Sequence, residues 1–197
     1  MKLLTFFISL LIFKPSPAQV KQYQNLLDSA LNGHGAIFVY SEPIKNIRLD
    51  QNDMRDYFES YRSYKDKDLD TVMFEQIIQN SKRGDSSLWL DAELPGFLLV
   101  HSRDEWVSKK YAVQKLALTD KVRIKFYINQ INQFNATEIF DKNIYYFSRP
   151  VFDNSKTFAI VEWDNGHSGL GGGGGIVLYH LQENTWKEVG IINNWKH

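Results

Sequence analysis

The 197-residue chain carries 23 basic and 23 acidic residues, no cysteine, and 14% aromatic residues. Zero net charge argues against nucleic acid or an anionic membrane as the main partner. The lack of cysteine excludes disulfides, a zinc thiolate centre, a cysteine nucleophile and a lipoprotein anchor.

Residues 1–18 read as a signal peptide. Lys2 and the amino terminus form a short positive region, Leu3 to Phe13 is an apolar run, and Ser16-Pro17-Ala18 supplies small residues for cleavage before Gln19. Those eleven apolar residues fall short of the roughly 20 that a membrane-spanning helix takes. Pro15 and Pro17 also break a helix there, although Lys14 is an unusual charge for such a segment. The expected location is periplasmic or extracellular, with no stable membrane insertion after cleavage. Removing residues 1–18 takes away two lysines and no acid, which leaves 21 basic and 23 acidic residues. Residues 19–197 read as one α+β domain, long enough to bury about 70% of its unfolded surface.

Helical spacing of Val20, Tyr23, Leu26, Leu27, Ala30 and Leu31 predicts a first helix, with Gly33 beyond its end. Residues 36–40, AIFVY, read as a buried strand ended by Pro43. Met54, Tyr57, Phe58 and Tyr61 again share a helical face. A further helix is predicted over 68–84, capped by Asp68 or Asp70 and stopped by Gly84, with Leu69, Val72, Met73 and Ile77 on one face. The charged run 61–70 between the two reads as a solvated loop.

Residues 87–102 read as a hairpin around Pro95-Gly96. Residues 104–118 read as a helix. Residues 122–128, VRIKFYI, alternate like a strand and we read them so, while Ile124, Tyr127, Ile128 and Ile131 also fit a helix. Four β-rich runs close the chain, at 144–152, 158–164, 175–181 and 186–192, with turns at Asp153-Asn154 and Glu183-Asn184. Sequential strands usually lie side by side. The fold expected is therefore α+β, with N-terminal helices on an antiparallel sheet that ends in a four-stranded meander. Pro150 cannot donate to a ladder, so its strand should lie at an edge or bulge there.

The third and second of these strands are joined by DNGHSGLGGGGG, residues 164–175. Gly169, Gly171 and Gly174 match G-x-G-x-x-G, but a phosphate loop must open a helix, and IVLYHL follows. Gly166-His167-Ser168-Gly169-Leu170 nearly fits a nucleophile elbow, but Leu170 replaces the last glycine and again no helix follows. Asp164, His167 and Ser168 sit too close along an extended chain to form a triad by themselves, so His34 or His101 would have to supply the base. A long glycine-rich hairpin loop is the favoured reading. Its glycines either stay mobile or are held by neighbouring backbone.

Ser148 to Phe152, Phe158 to Val161, His167 to Gly174 and Trp186-Lys187 together resemble the C-terminal part of a broad group of exported bacterial proteins of unknown function. There a serine-to-phenylalanine element, a strand, a "CGxLCGGG" hairpin and a closing "W-K" strand follow one another. The resemblance covers residues 144–195, about a quarter of the chain. His167 and Gly171 stand where the group tends to have cysteine, so a disulfide pinning the hairpin is not available here. The resemblance implies a fold and a compartment, not a reaction.

None of His34, His101, His167, His180 and His197 forms a close metal pair, and no metal or cofactor is expected. Asp91, Glu93, Glu162 and Asp164 are candidates for a glycosidase-type carboxylate pair, which only spatial separation defines. Asn135-Ala136-Thr137 matches a glycosylation acceptor. The function expected is non-catalytic binding of a protein or small ligand, through Trp163, Asp164, His167 and Ser168. The alternatives are an exported hydrolase using Ser168 or a carboxylate with a distant histidine, and an immunity-type protein.

Overall fold

The structure, a computed structural model, describes residues 21, 24–27, 29–30, 37–48, 51–64, 70–166 and 171–197. The predicted signal peptide, most of the first predicted helix, Asp68, His34, His167 and Ser168 lie outside them. Helical residues among 24–30 bury Leu26, Leu27 and Ala30. Next come β1 (Phe38–Tyr40), α1 (Gln51–Tyr64), α2 (Thr71–Ser81), β2 (Leu98–Val100), α3 (Lys109–Lys115), α4 (Lys121–Ala136) and a 3₁₀ turn at Ile139–Asp141. The chain closes with β3 (Tyr145–Phe147), β4 (Val151–Phe152), β5 (Phe158–Asn165), β6 (Gly173–Gln182) and β7 (Thr185–Lys196).

The fold is α+β, and its sheet runs in the order β2-β1-β3-β5-β6-β7. β5, β6 and β7 form the expected antiparallel meander, with β3 and β4 both antiparallel to β5. The sheet as a whole is mixed, because β1 pairs parallel with both β2 and β3. β3 and β4 are one interrupted strand: Phe147 faces Trp163 and Val151 faces Ile160, which leaves one extra residue on the β3–β4 side. The bulge falls at Ser148-Arg149-Pro150, where the missing proline N–H would break the ladder. Ser148 bridges it, its N–H donating to Glu162 O at 2.8 Å and its hydroxyl accepting from Glu162 N at 2.9 Å.

Besides the parallel pairs in the sheet, several segment expectations are corrected. Residues 122–128 are helical, inside α4. Asp120 caps that helix by accepting from Arg123 N, and the apparent alternation arises because Val122 and Phe126 are exposed, 77% and 53%, while Ile131 and Phe134 are buried. Residues 87–102 form no hairpin: Ser87–Leu90 are not a strand, and β2 pairs parallel with β1. Residues 61–64 continue α1 and are not loop. In α2, Asp70 is the cap, accepting from Val72 N at 2.8 Å, and the helix ends at Ser81 before Gly84. Its buried face is Met73, Phe74, Ile77 and Ile78, while Val72 is 57% exposed.

Strand alternation splits the core between two faces of the sheet. On one face, Val39, Leu99, Tyr145, Phe147, Val161, Val177 and Tyr179 pack under Leu26, Leu27, Trp89 and Leu94. The other face carries two separate clusters. α3 and α4 cover Phe38, Leu98 and Val100 with Ala112, Ile131 and Phe134. α1 and α2 cover Ile160, Ile176 and Leu178 with Met54, Phe58, Met73 and Ile77.

Candidate functional site

Between those two helix pairs lies a strip of β3 and β5 on which Arg48, Trp195 and His197 lie against Glu162 and Asp164, both buried. Tyr146 faces Asp164 across the ladder there, and Glu162 shares that face two residues back. The strip floors a cleft of about 520 Å³, lined by Ile44, Arg48, Arg103, Phe140, Tyr146, Asp164, Gly166 and His197. That volume falls within the roughly 300–1,000 Å³ of small-molecule sites. It also lies where parallel pairing (β1–β3) gives way to antiparallel pairing (β3–β5). Another cavity, of about 370 Å³, lies beside Pro150 and Asn80. There Asn80 already donates to Phe152 O and Gln76 accepts from Asn154 N.

The acid pair is held by one arginine. Arg48 N donates to Glu162 Oε2 at 2.6 Å, its Nε lies 3.5 Å from Glu162 Oε1, and its terminal nitrogen lies 3.2 Å from Asp164 Oδ2. Glu162 is fully buried. Burial, with the Asp164 charge adding to it and Arg48 opposing, pushes its carboxyl up to about 7. Asp164 also accepts from Trp195 Nε1 at 3.2 Å and lies 2.9 Å from His197 Nε2. The Trp195 indole in turn carries the Arg48 guanidinium 4.9 Å from its ring centroid.

The glycine run leads into β6 and no helix, as the sequence reading required. Three of its members lie within the strand: Gly173, Gly174 and Gly175 pair with Asn165, Asp164 and Trp163 on one side, and with Lys196, Trp195 and Asn194 on the other. A Cβ on Gly174 would stand 2.5 Å from two Trp195 ring carbons and 2.6 Å from Trp163 O. Glycine thus lets the indole lie flat on the sheet and reach Asp164. Gly171 instead has φ +122°, a backbone shape that side chains rarely adopt.

Of the sequence-predicted site residues, Trp163 and Asp164 point to opposite faces, because consecutive strand residues do. Trp163 packs against the core, tilted on Tyr145 at 6.4 Å. Of the four candidate carboxylates, Glu162 and Asp164 come together. Glu93 forms a buried bidentate pair with Arg149, 2.6 and 3.1 Å, beneath Trp89. Asp91 is bonded to Tyr111 and Lys115. The His101 Nδ1 meets Ser41 Oγ at 2.9 Å, and Ser41 is buried, which withholds its hydroxyl from a substrate. His180 stacks on Phe158 at 4.0 Å, and Asn135 pairs its amide group with both backbone atoms of Val107.

Sequence reasoning missed Arg48, Arg103, Phe140, Tyr146 and Trp195 as site residues. One signal was present: Ile160, Glu162 and Asp164 alternate on a single strand face, so two acids follow a core residue inward. Among the described residues there is no group of three or more metal-ligating side chains, and no helix long and apolar enough to cross a membrane. No protein family, curated protein or solved structure matches the chain.

Proposed function

We propose that the chain is an exported, non-catalytic binding protein whose small ligand sits in the cleft over Tyr146 and Asp164. The observation that carries this reading is the cleft of about 520 Å³ that Arg103, Phe140, Tyr146 and Asp164 line. A fold that covers both ends of one sheet face and leaves polar and aromatic side chains in the middle has a concave, preformed site. Export rests on Lys2, the Leu3–Phe13 run and Ser16–Ala18. A library screened by amide chemical shifts tests the reading. Hits are expected to move the resonances of Arg103, Tyr146, Asp164, Gly166 and His197 together. Hits that move only residues remote from the cleft, or no hits at all, would sink it.

Hydrolysis through Glu162 and Asp164 is the second reading, favoured by the raised Glu162 carboxyl beside a second acid. Against it, both acids stand on one wall and share Arg48, whereas glycosidase carboxylates flank the bond they cleave. Hydrolysis of aryl glycosides that disappears in Glu162→Gln would favour it over simple binding.

A further inference from the structure

Resting on that binding reading, we infer that the cleft takes a small aromatic carboxylate, with Arg103 as the anion anchor and Tyr146 and Phe140 against the ring. Two arginines enter the cleft, and they differ in what they already hold. Arg48 is engaged by both Glu162 and Asp164. Arg103 is half-buried, and among the described residues it has no ion pair with an acid. Its guanidinium donates one bond, to Gly166 O at 3.0 Å, and stands 5.8 Å from the Tyr146 ring centroid.

A guanidinium offers five donors in a planar fork that matches a carboxylate, so one bond to a carbonyl leaves the fork largely unfilled. The cleft acids do not oppose an incoming anion strongly. Asp164 is already matched by Arg48, the Trp195 N–H and His197, and Glu162 lies buried beneath Arg48. The remaining wall is aromatic and aliphatic. Tyr40 leans on Tyr146 at 5.0 Å, Phe140 is 68% exposed, and Ile44 faces the same space. A flat apolar body ending in a carboxylate satisfies both halves of this lining, whereas a cation would compete with arginines already lying over Tyr146 and Trp195.

Phenylacetate titrated into the full chain, followed by amide shifts, tests this, with phenylacetamide as the neutral isostere and cyclohexylacetate as the non-aromatic one. The acid should bind about tenfold or more tightly than the amide, the size of one charge-assisted bond. Arg103→Gln should erase that preference, and Arg103→Lys should keep part of it, both with unchanged circular dichroism. Tyr146→Leu should weaken phenylacetate more than cyclohexylacetate. Equal affinity for acid and amide overturns the inference. So does an acid preference that survives Arg103→Gln, or no phenylacetate binding up to about 10 mM, tenfold above a millimolar Kd. If the last result comes with library hits at the same amides, the cleft still binds, but another chemistry. If nothing shifts those amides, the binding reading falls as well.

Discussion

Glu162 is a carboxyl fully buried beside a second acid. Its folded carboxyl is pushed from the usual 4.5 up to about 7, chiefly by burial. The folded state therefore holds a proton that the unfolded chain has released between those values. The stability it contributes is full below pH 4.5 and is lost as pH rises through about 7. The loss should be on the order of 3 kcal/mol. Urea melts between pH 5 and 8 should show this decline in the wild type and a flatter profile in Glu162→Gln, which keeps an acceptor for Arg48 N. Gly174 makes the second residue-level case. Gly174→Ala should cost about 1–3 kcal/mol through overpacking. The penalty should shrink in a Trp195→Ala background, since part of the clash is then gone. Equal penalties in both backgrounds would show that the indole does not set the need for glycine.

Among the elements, the β4–β5 turn depends on one side chain. Asp153 is buried and accepts from Thr157 N and Phe158 N, both at 2.9 Å, and from Ser155 N at 3.3 Å. That ties down a turn in which Lys156 takes a positive φ of 59°. Asp153→Ala leaves several backbone donors without partners and should cost about 2 kcal/mol in denaturant melts, with Asp153→Asn retaining more of the wild-type stability. Asp153-Asn154 was legible as a turn because such side chains bond their own backbone. The same logic was available for α4, where Asp120 caps Arg123 N, but the alternation of Val122, Ile124 and Phe126 masked it. Local pattern reads exposed apolar residues as though they were buried, and α4 carries two of them. The 87–102 segment failed differently. Pro95-Gly96 does turn, but β2 takes its partner from β1, about 60 residues earlier, and no local signal encodes a parallel partner.

At the scale of the whole molecule, one continuous sheet joins three apolar clusters. Unfolding should therefore be a single transition, with far-UV and near-UV signals coincident in urea and calorimetric enthalpy matching the van't Hoff value. Separate transitions would mean that the α3–α4 and α1–α2 ends fold independently. The cleft exists only at this scale. The acids that floor it were legible only as two of four candidate carboxylates, with nothing to mark them as buried, and the meander that holds them followed from four β-rich runs with turn residues between. Arg48, Arg103 and His197 come from three distant stretches of chain, and only packing places them together. Residue pattern by itself determined the class of fold, the antiparallel C-terminal meander and the strand that follows the glycines, because each rests on contacts between near neighbours in the chain. The tertiary structure alone decided where the cleft lies, which acids share an arginine and which arginine is left without an acid partner among the described residues. Those outcomes depend on long-range pairing and burial, which one-dimensional periodicity does not carry.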